Sequence, residues 1–277
     1  MDKQTKHNLE KTACKVRIGI IHGVHAAKSG HPGGSLSSAD ILTYLYFKEM
    51  NIDPKNQEDP GRDRFVLSKG HAAPALYATL AERGYFSPEE MFSLRHIGSF
   101  LQGHPDMKNT PGVDMSTGSL GQGISAAVGM ALSSKHFGDN YRVYAILGDG
   151  EIEEGQVWEA AMFAANKKLS NLTVFVDLNG LQIDGTIDEV NSARPVDKKF
   201  EAFGWDTIEI DGHDFNQIED ALNKAKKSDK PVAIIANTVK GKGVSYMENA
   251  VGWHGTAPND ELYEVAIKEL ETALAAF

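Results

Sequence analysis

Apolar residues recur at spacings of three and four at the start of the chain, at Leu9, Ala13, Val16, Ile20 and Val24. That spacing predicts an amphipathic helix over about 8–28. "GHPGG" at 30–34 then breaks the pattern and ends the helix. A second helix is expected over "SADILTYLYFKEM", with Ser37 as its N-cap. The polar loop "NIDPKNQEDPGRDR" leads to "FVLS", short and apolar enough for a buried strand. Helix is predicted over about 72–83, briefly after Pro88, and again over about 121–137, with an irregular stretch reaching Asp114.

From Val143 the rhythm becomes strand, helix, strand. "RVYAIL", "LTVFVDL", "WDTIEI" and "PVAIIANT" read as strands, and "GQVWEAAMFAANKKL" with about 215–227 as helices between them. This alternation implies an α/β fold, a doubly wound and mostly parallel sheet with helices on both faces. A last helix near 259–276 closes it. No repeat, low-complexity tract or linker divides the chain, so residues 1–277 are expected to form a single domain.

Composition narrows the setting. A net charge of −10 without a basic run argues against nucleic acid as a partner. An acidic chain binds phosphate only at a local site built from glycines, helix ends or a metal. One cysteine, Cys14, excludes an internal disulfide or a cysteine zinc cluster. No apolar run approaches the ~20 residues that span a bilayer, and "MDKQTKHNLEK" is not a signal peptide. The expectation is a cytoplasmic protein without membrane contact.

Candidate chemistry centres on "GDGEIEEGQVWEAAMFAANKKLSNLTVFVDLNGLQIDG". Asp149 follows one predicted strand and Asn179 the next, across one βαβ unit, so both fall at the carboxyl ends of neighbouring parallel strands. Ligands bind there in this fold class. A carboxylate, an amide oxygen and a nearby backbone carbonyl form a partial shell of hard oxygens, which suits Mg²⁺ completed by water and phosphate. Gly148 and Gly150 let the backbone approach a diphosphate. Either Asp-Gly or Asn-Gly alone is an ordinary turn; the pair across one crossover is read as a metal site. Glu151, Glu153 and Glu154 also suit a helix start on charge alone.

These motifs resemble the N-terminal, diphosphate-binding domain of the transketolases, enzymes that depend on thiamine diphosphate (ThDP). "SGHPGGSLSSADIL", "DRFVLSKGHAAPALYA", "QGHPD", "TGSLGQGIS", "GDGEIEEGQVWEA", "TVKGKGVSYMEN" and "WHG" stand in the family's order, from about residue 10 to the C-terminus. The resemblance implies that Asp149, Asn179 and the carbonyl of Leu181 hold Mg²⁺, replaceable by Ca²⁺ or Mn²⁺. It implies ThDP contacts at Gly118, Ser119, Leu120, Gly148, Gly150, Glu151, His71 and His254. Glu154 matches a carboxylate that meets its counterpart at a subunit interface. His31, His71, His104 and His254 match histidines gathered about the reactive carbon of the cofactor. His31 and His254 resemble the pair nearest the donor's 3-hydroxyl, His104 a contact to its 1-hydroxyl, and His71 a residue near the diphosphate.

The other histidines (His7, His22, His25, His96, His136 and His213) match no motif and are read as structural or exposed. Lys240 and Lys242 of "KGKG" suit either phosphate neutralisation or a solvated loop. The family's pyrimidine-binding and C-terminal domains have no counterpart in these residues. The resemblance therefore implies a partner chain carrying the pyrimidine-binding domain, an α2β2 heterotetramer, and transfer of a two-carbon ketol unit between sugar phosphates. A ThDP-dependent synthase using a 2-oxo acid donor, or a non-catalytic scaffold with the same fold, are the alternatives.

Overall fold

The computed structural model describes residues 1–277. Five strands form one parallel sheet: β1 (Arg64–Leu67), β2 (Val143–Gly148), β3 (Leu172–Leu178), β6 (Asp206–Asp211) and β7 (Val232–Asn237). Their spatial order is β1-β2-β3-β7-β6. A separate two-stranded antiparallel ribbon pairs β4 (Leu181–Gln182) with β5 (Gly185–Thr186).

Alternation along the strands divides the core into two layers. Tyr144 and Ile146 of β2, Phe175 of β3 and Ile234 of β7 face one side. They pack there with α1 (Lys3–Ala26), α2 (Pro32–Tyr44), α3 (Ala73–Arg83), α8 (Phe215–Ala225) and α9 (Asp260–Ala275). Val143, Ala145 and Leu147, with Val174, Val176 and Ile235, face the other side. They meet α4 (Gly123–Phe137), α5 (Gly155–Asn166) and α7 (Val196–Ala202). Strands buried on both faces read as continuous apolar runs, which is why "LTVFVDL" coincides with β3.

The structure departs from the sequence-based expectation in two places. Ser37 is not an N-cap: α2 begins at Pro32, with His31 in the N-cap position and no side-chain cap. Proline at the first helical position needs no N–H partner and presents the right φ, so the "PGG" run opens α2 as well as following the break in the first helix. The Ser37 hydroxyl instead donates to the buried Asp177 carboxylate at 2.7 Å. The second departure lies between β3 and β6, where the ribbon, α6 (Ile187–Val190) and α7 are too short to leave a periodic signature. No helix is long and apolar enough to cross a membrane.

Candidate active site at the carboxyl ends of the strands

β2 and β3 pair in parallel register, Gly148 opposite Asp177, so the segments that leave them, carrying Asp149 and Asn179, are neighbours. Both Asp149 oxygens accept backbone N–H groups, from Gly150 at 2.9 Å and from Gly180 at 2.6 Å. Asn179 is oriented by its neighbours. Its Nδ2 donates to Asp177 at 3.0 Å and its Oδ1 accepts from Leu181 N–H at 3.2 Å, so the oxygen faces away from the buried carboxylate. Burial and the nearby Asp177 carboxylate push the Asp149 carboxyl up from its ordinary range. A 3% exposed carboxylate in that position favours a cation beside it.

No three His, Cys, Asp or Glu side chains are grouped as a metal cage. The donor set is instead one carboxylate, one amide oxygen and the Leu181 carbonyl, which fits a hard ion that keeps water and phosphate ligands. The residues present therefore fit Mg²⁺ with a diphosphate.

Three of the predicted histidines converge on this point from separate connections. His31 opens α2, His71 lies in the single 3-10 turn between β1 and α3, and His254 follows β7. Their ring centroids lie 5.2 Å apart for His31–His71, 5.6 Å for His31–His254 and 5.3 Å for His71–His254. They share a cavity of about 270 Å³ with Gly118, Leu120, Gly148, Asp149, Gly150, Glu151, Asn179 and Leu181. His104 and Ser119 line an adjoining hollow that meets the first at Gly118. Burial pushes His31 and His254 down to about 4, helped by Arg95 for His31 and by Lys240 for His254. Burial also lowers His71 far below its usual value and, more modestly, His104. All four imidazoles are neutral at pH 7.

Tight backbone contacts explain the glycines beside these histidines. A Cβ on Gly33 would lie 2.9 Å from the Trp253 carbonyl, and one on Gly70 2.7 Å from the Gly118 nitrogen. "GHPGG" and "KGH" thus let His31 and His71 reach segments more than forty residues away in sequence.

Glu151 is 2% exposed and cross-links loops: it accepts from Ser68 Oγ, and from Gly121 and Gly148 N–H at 3.0 Å each. Glu154 is exposed at the start of α5, makes no capping bond, and lies outside the cavity that holds the histidines.

Sequence reasoning missed two charged groups, Lys69 and Asp177, and left a third, Lys240, between two readings. Lys69 is 1% exposed and pairs with the fully buried Asp177 at 2.5 Å, while Ser37 and Thr238 also donate to that carboxylate. Lys240 proves to be buried rather than solvated. Its ammonium lies 2.7 Å from the Leu181 carbonyl and 2.8 Å from His254 Nδ1, and burial lowers its pKa. Lys242, by contrast, is a surface residue near Glu248 at 3.6 Å. The "KGKG" spacing held the signal for Lys240; nothing local marked Lys69 or Asp177.

His213 is structural, as read from sequence, and it supports the Lys240 loop. Its Nδ1 donates to Asp40 at 2.7 Å and its Nε2 accepts Val239 N–H at 2.9 Å. Arg17 grips the same Asp40 through two bonds of 3.1 and 2.5 Å. A larger hollow of about 740 Å³ lies elsewhere, at the amino end of β1. Its Arg62 and Arg64 are held by backbone carbonyls and Asp114.

Comparison with known proteins agrees with this geometry. Residues 9–274 match the family described as transketolase, thiamine diphosphate binding domain. The chain belongs to that family. It is 49% identical, over 87% of its length, to a 6-deoxy-6-sulfo-D-fructose transketolase subunit of Clostridium sp. (strain MSTE9), covering 88% of that relative. It is 43% identical, over 95% of its length, to an apulose-4-phosphate transketolase subunit of Phocaeicola vulgatus, covering 93% of it. Human transketolase is 44% identical over 97% of the chain, but the chain spans only 43% of that longer protein. The crystal structure of Campylobacter jejuni transketolase superposes with a TM-score of 0.90 at 34% identity, over 98% of this chain and 43% of that one.

Proposed function

We propose that this chain is the diphosphate-binding subunit of a two-chain transketolase. The chain would form one domain and act with a second subunit that carries the pyrimidine-binding domain. The observation that carries the reading is the meeting of three neutral, partly buried imidazoles with the Asp149, Asn179 and Leu181 oxygens in one cavity. Near-complete coverage of relatives named as subunits supports the partner. An α2β2 assembly, with Glu154 meeting its counterpart, and a cytoplasmic setting complete the proposal.

Asp149, Asn179 and the Leu181 carbonyl would hold Mg²⁺, and the ion would bind the diphosphate of ThDP beside Gly148, Gly150, Gly118, Ser119, Leu120 and His71. Bound there, ThDP supplies a carbon nucleophile and an electron sink for cleavage of the donor's C2–C3 bond. The protein's task is then proton transfer at the donor's 3-hydroxyl, which must lose its proton as the C3 carbonyl forms.

Two histidines share that task unequally. His254 Nδ1 faces the Lys240 ammonium, which fixes the tautomer with hydrogen on Nε2. His254 therefore donates a hydrogen bond to a substrate oxygen. His31 has no hydrogen-bond partner at its buried Nδ1 and no neighbouring ammonium bound to its ring. It is the group free to take the 3-hydroxyl proton and return it to the acceptor. His104, across Gly118, would bind the 1-hydroxyl.

The sugar is the partner's choice in part. The named relatives differ in the sugar their names carry, 6-deoxy-6-sulfo-D-fructose in one and apulose-4-phosphate in the other. The test is a ketose-to-aldose assay on the chain alone and with its partner. Turnover with ketose donors is expected only in the pair. Robust turnover by the chain alone would overturn the two-chain reading, and consumption of pyruvate instead of ketoses would favour the synthase.

A further inference from the structure

Arg95 stands at the edge of the histidine cluster with several unusual features. Its φ is 61°, in the left-handed region that a long side chain rarely occupies. Its backbone N–H bonds to the Leu101 carbonyl at 2.9 Å, closing the loop 95–101 on itself. No carboxylate lies within 4.0 Å of its guanidinium, and its buried Nε has no hydrogen-bond partner. An uncompensated cation in a strained, partly buried position persists only where the surroundings enforce it, and such strain gathers at functional sites.

The guanidinium makes two bonds. Nη1 donates to Ser29 Oγ at 2.8 Å, two residues before His31. Nη2 donates to the Gly103 carbonyl at 3.2 Å, one residue before His104. The guanidinium packs closely on Gly103, where a Cβ would lie 3.2 Å from Arg95 Cζ and Nε and press it aside. The planar fork thus spans two loops that no other side chain links, and a lysine's single ammonium could not hold both ends.

We propose that Arg95 is a positioning residue for ketol transfer: it ties the loop carrying His31 to the loop carrying His104 and sets how the two imidazoles face one substrate. The inference rests on the proposed function for its chemistry, though not for its geometry. The electrostatics agree. After burial, Arg95 is the leading charge that lowers both His31 and His104. His31 also faces His104, Lys240 and the rings of His71 and His254, of which Lys240 is the other cation.

The test uses this chain assembled with its partner, carrying Arg95→Met, with ring-labelled histidine followed by NMR across pH. His31 and His104 signals are assigned through His31→Gln and His104→Gln. In Arg95→Met, both rings should shift and titrate at higher pH than in the parent, while the distant His7 and His136 stay put. The donor kcat/KM should fall about 10–100-fold, the scale of a misplacement near 1 Å, with Mg²⁺–ThDP affinity within about twofold of the parent. Arg95→Gln, read the same way, replaces the methionine variant if that one fails to fold. Unmoved His31 and His104 rings would overturn the proposal whatever the kinetics. If the parent assembly transfers no ketol unit, the proposed function fails, while the ring titrations still decide the role of Arg95.

Discussion

Replacing Asp40 by asparagine should destabilise the whole protein and loosen its active site together. Asp40 is 5% exposed and binds Arg17 twice and His213 once. Burial alone would raise its pKa, but Arg17 and the His213 hydrogen bond outweigh that and hold it at about 2, against an ordinary value of 3.8. Holding a carboxyl that far below its ordinary value corresponds to roughly 2–3 kcal/mol. The pKa is depressed, so this stability is complete above the ordinary carboxyl range and is lost as pH falls from about 4 towards 2. Removing the charge also strands a buried guanidinium, a change that typically costs about 3–5 kcal/mol. Asparagine keeps one acceptor oxygen, which places the expected loss near the lower figure, about 3 kcal/mol at pH 7. Urea unfolding of parent and variant should show that difference in midpoint with an unchanged slope. The variant should also lack the parent's loss of stability between pH 4 and 2. With the one remaining oxygen kept by Arg17 at the Oδ1 position, His213 would lose the acceptor for its Nδ1–H, so the Val239 anchor and with it Lys240 should shift, weakening Mg²⁺–ThDP binding about tenfold. A variant within ~0.5 kcal/mol of the parent would mean that the ion pair is no better than one on the surface, and the argument from burial would fail.

Three further substitutions probe the site. Asp149→Ala should abolish Mg²⁺-dependent ThDP binding in calorimetric titration, whereas Asn179→Ala, which removes a neutral oxygen that water replaces, should weaken it less; equal affinities in parent and Asp149→Ala would refute the metal site. Lys240→Met should impair both cofactor binding and turnover in the assembled enzyme, because it strips the Leu181 carbonyl and His254 Nδ1 of one shared donor, while Lys242→Ala should change neither. His31→Gln should lower kcat by roughly 10²–10⁴-fold, the usual range for a general base, and His254→Gln by less, since a donor to oxygen is partly replaceable; the reverse order would show that the tautomer assignment is wrong.

Much of this arrangement was legible in the sequence, and the illegible part has a physical pattern. β3 and α5 could be read because a doubly buried strand and a periodic helix carry their environment in every residue. Asp149 and Asn179 could be read because a single crossover fixes their relation. Asp177 could not, since inside "LTVFVDL" it looks like one polar position in a core strand, and its partner Lys69 lies over a hundred residues earlier. Ser37 misled for a related reason. A serine before an apolar run suits a cap, but here the hydroxyl serves a carboxylate on another strand, while the helix starts at a proline. Lys240 stood between two readings because burial, which decided it, is a property of the packed loop rather than of "KGKG". The short elements between Leu181 and Ala202 were missed because two-residue strands and one-turn helices show no period.

The order of strands in the sheet has a consequence for the birth of the protein. β7 is the last strand made, yet it lies between β3 and β6. As synthesis proceeds, β3 must wait for a neighbour that lies roughly sixty residues further on, some 3–12 s at 5–20 residues per second. During that interval its open edge invites pairing with other chains. Lys240 and His254 follow β7 and emerge later still. A nascent chain thus holds Asp149 and Asn179 well before it owns the groups that complete the cavity, and competence to bind cofactor arrives only once the segment from β7 to His254 has emerged. Cofactor capture would then report a completed sheet, and a ribosome stalled before β7 would display a sticky, half-built one for chaperones to shield.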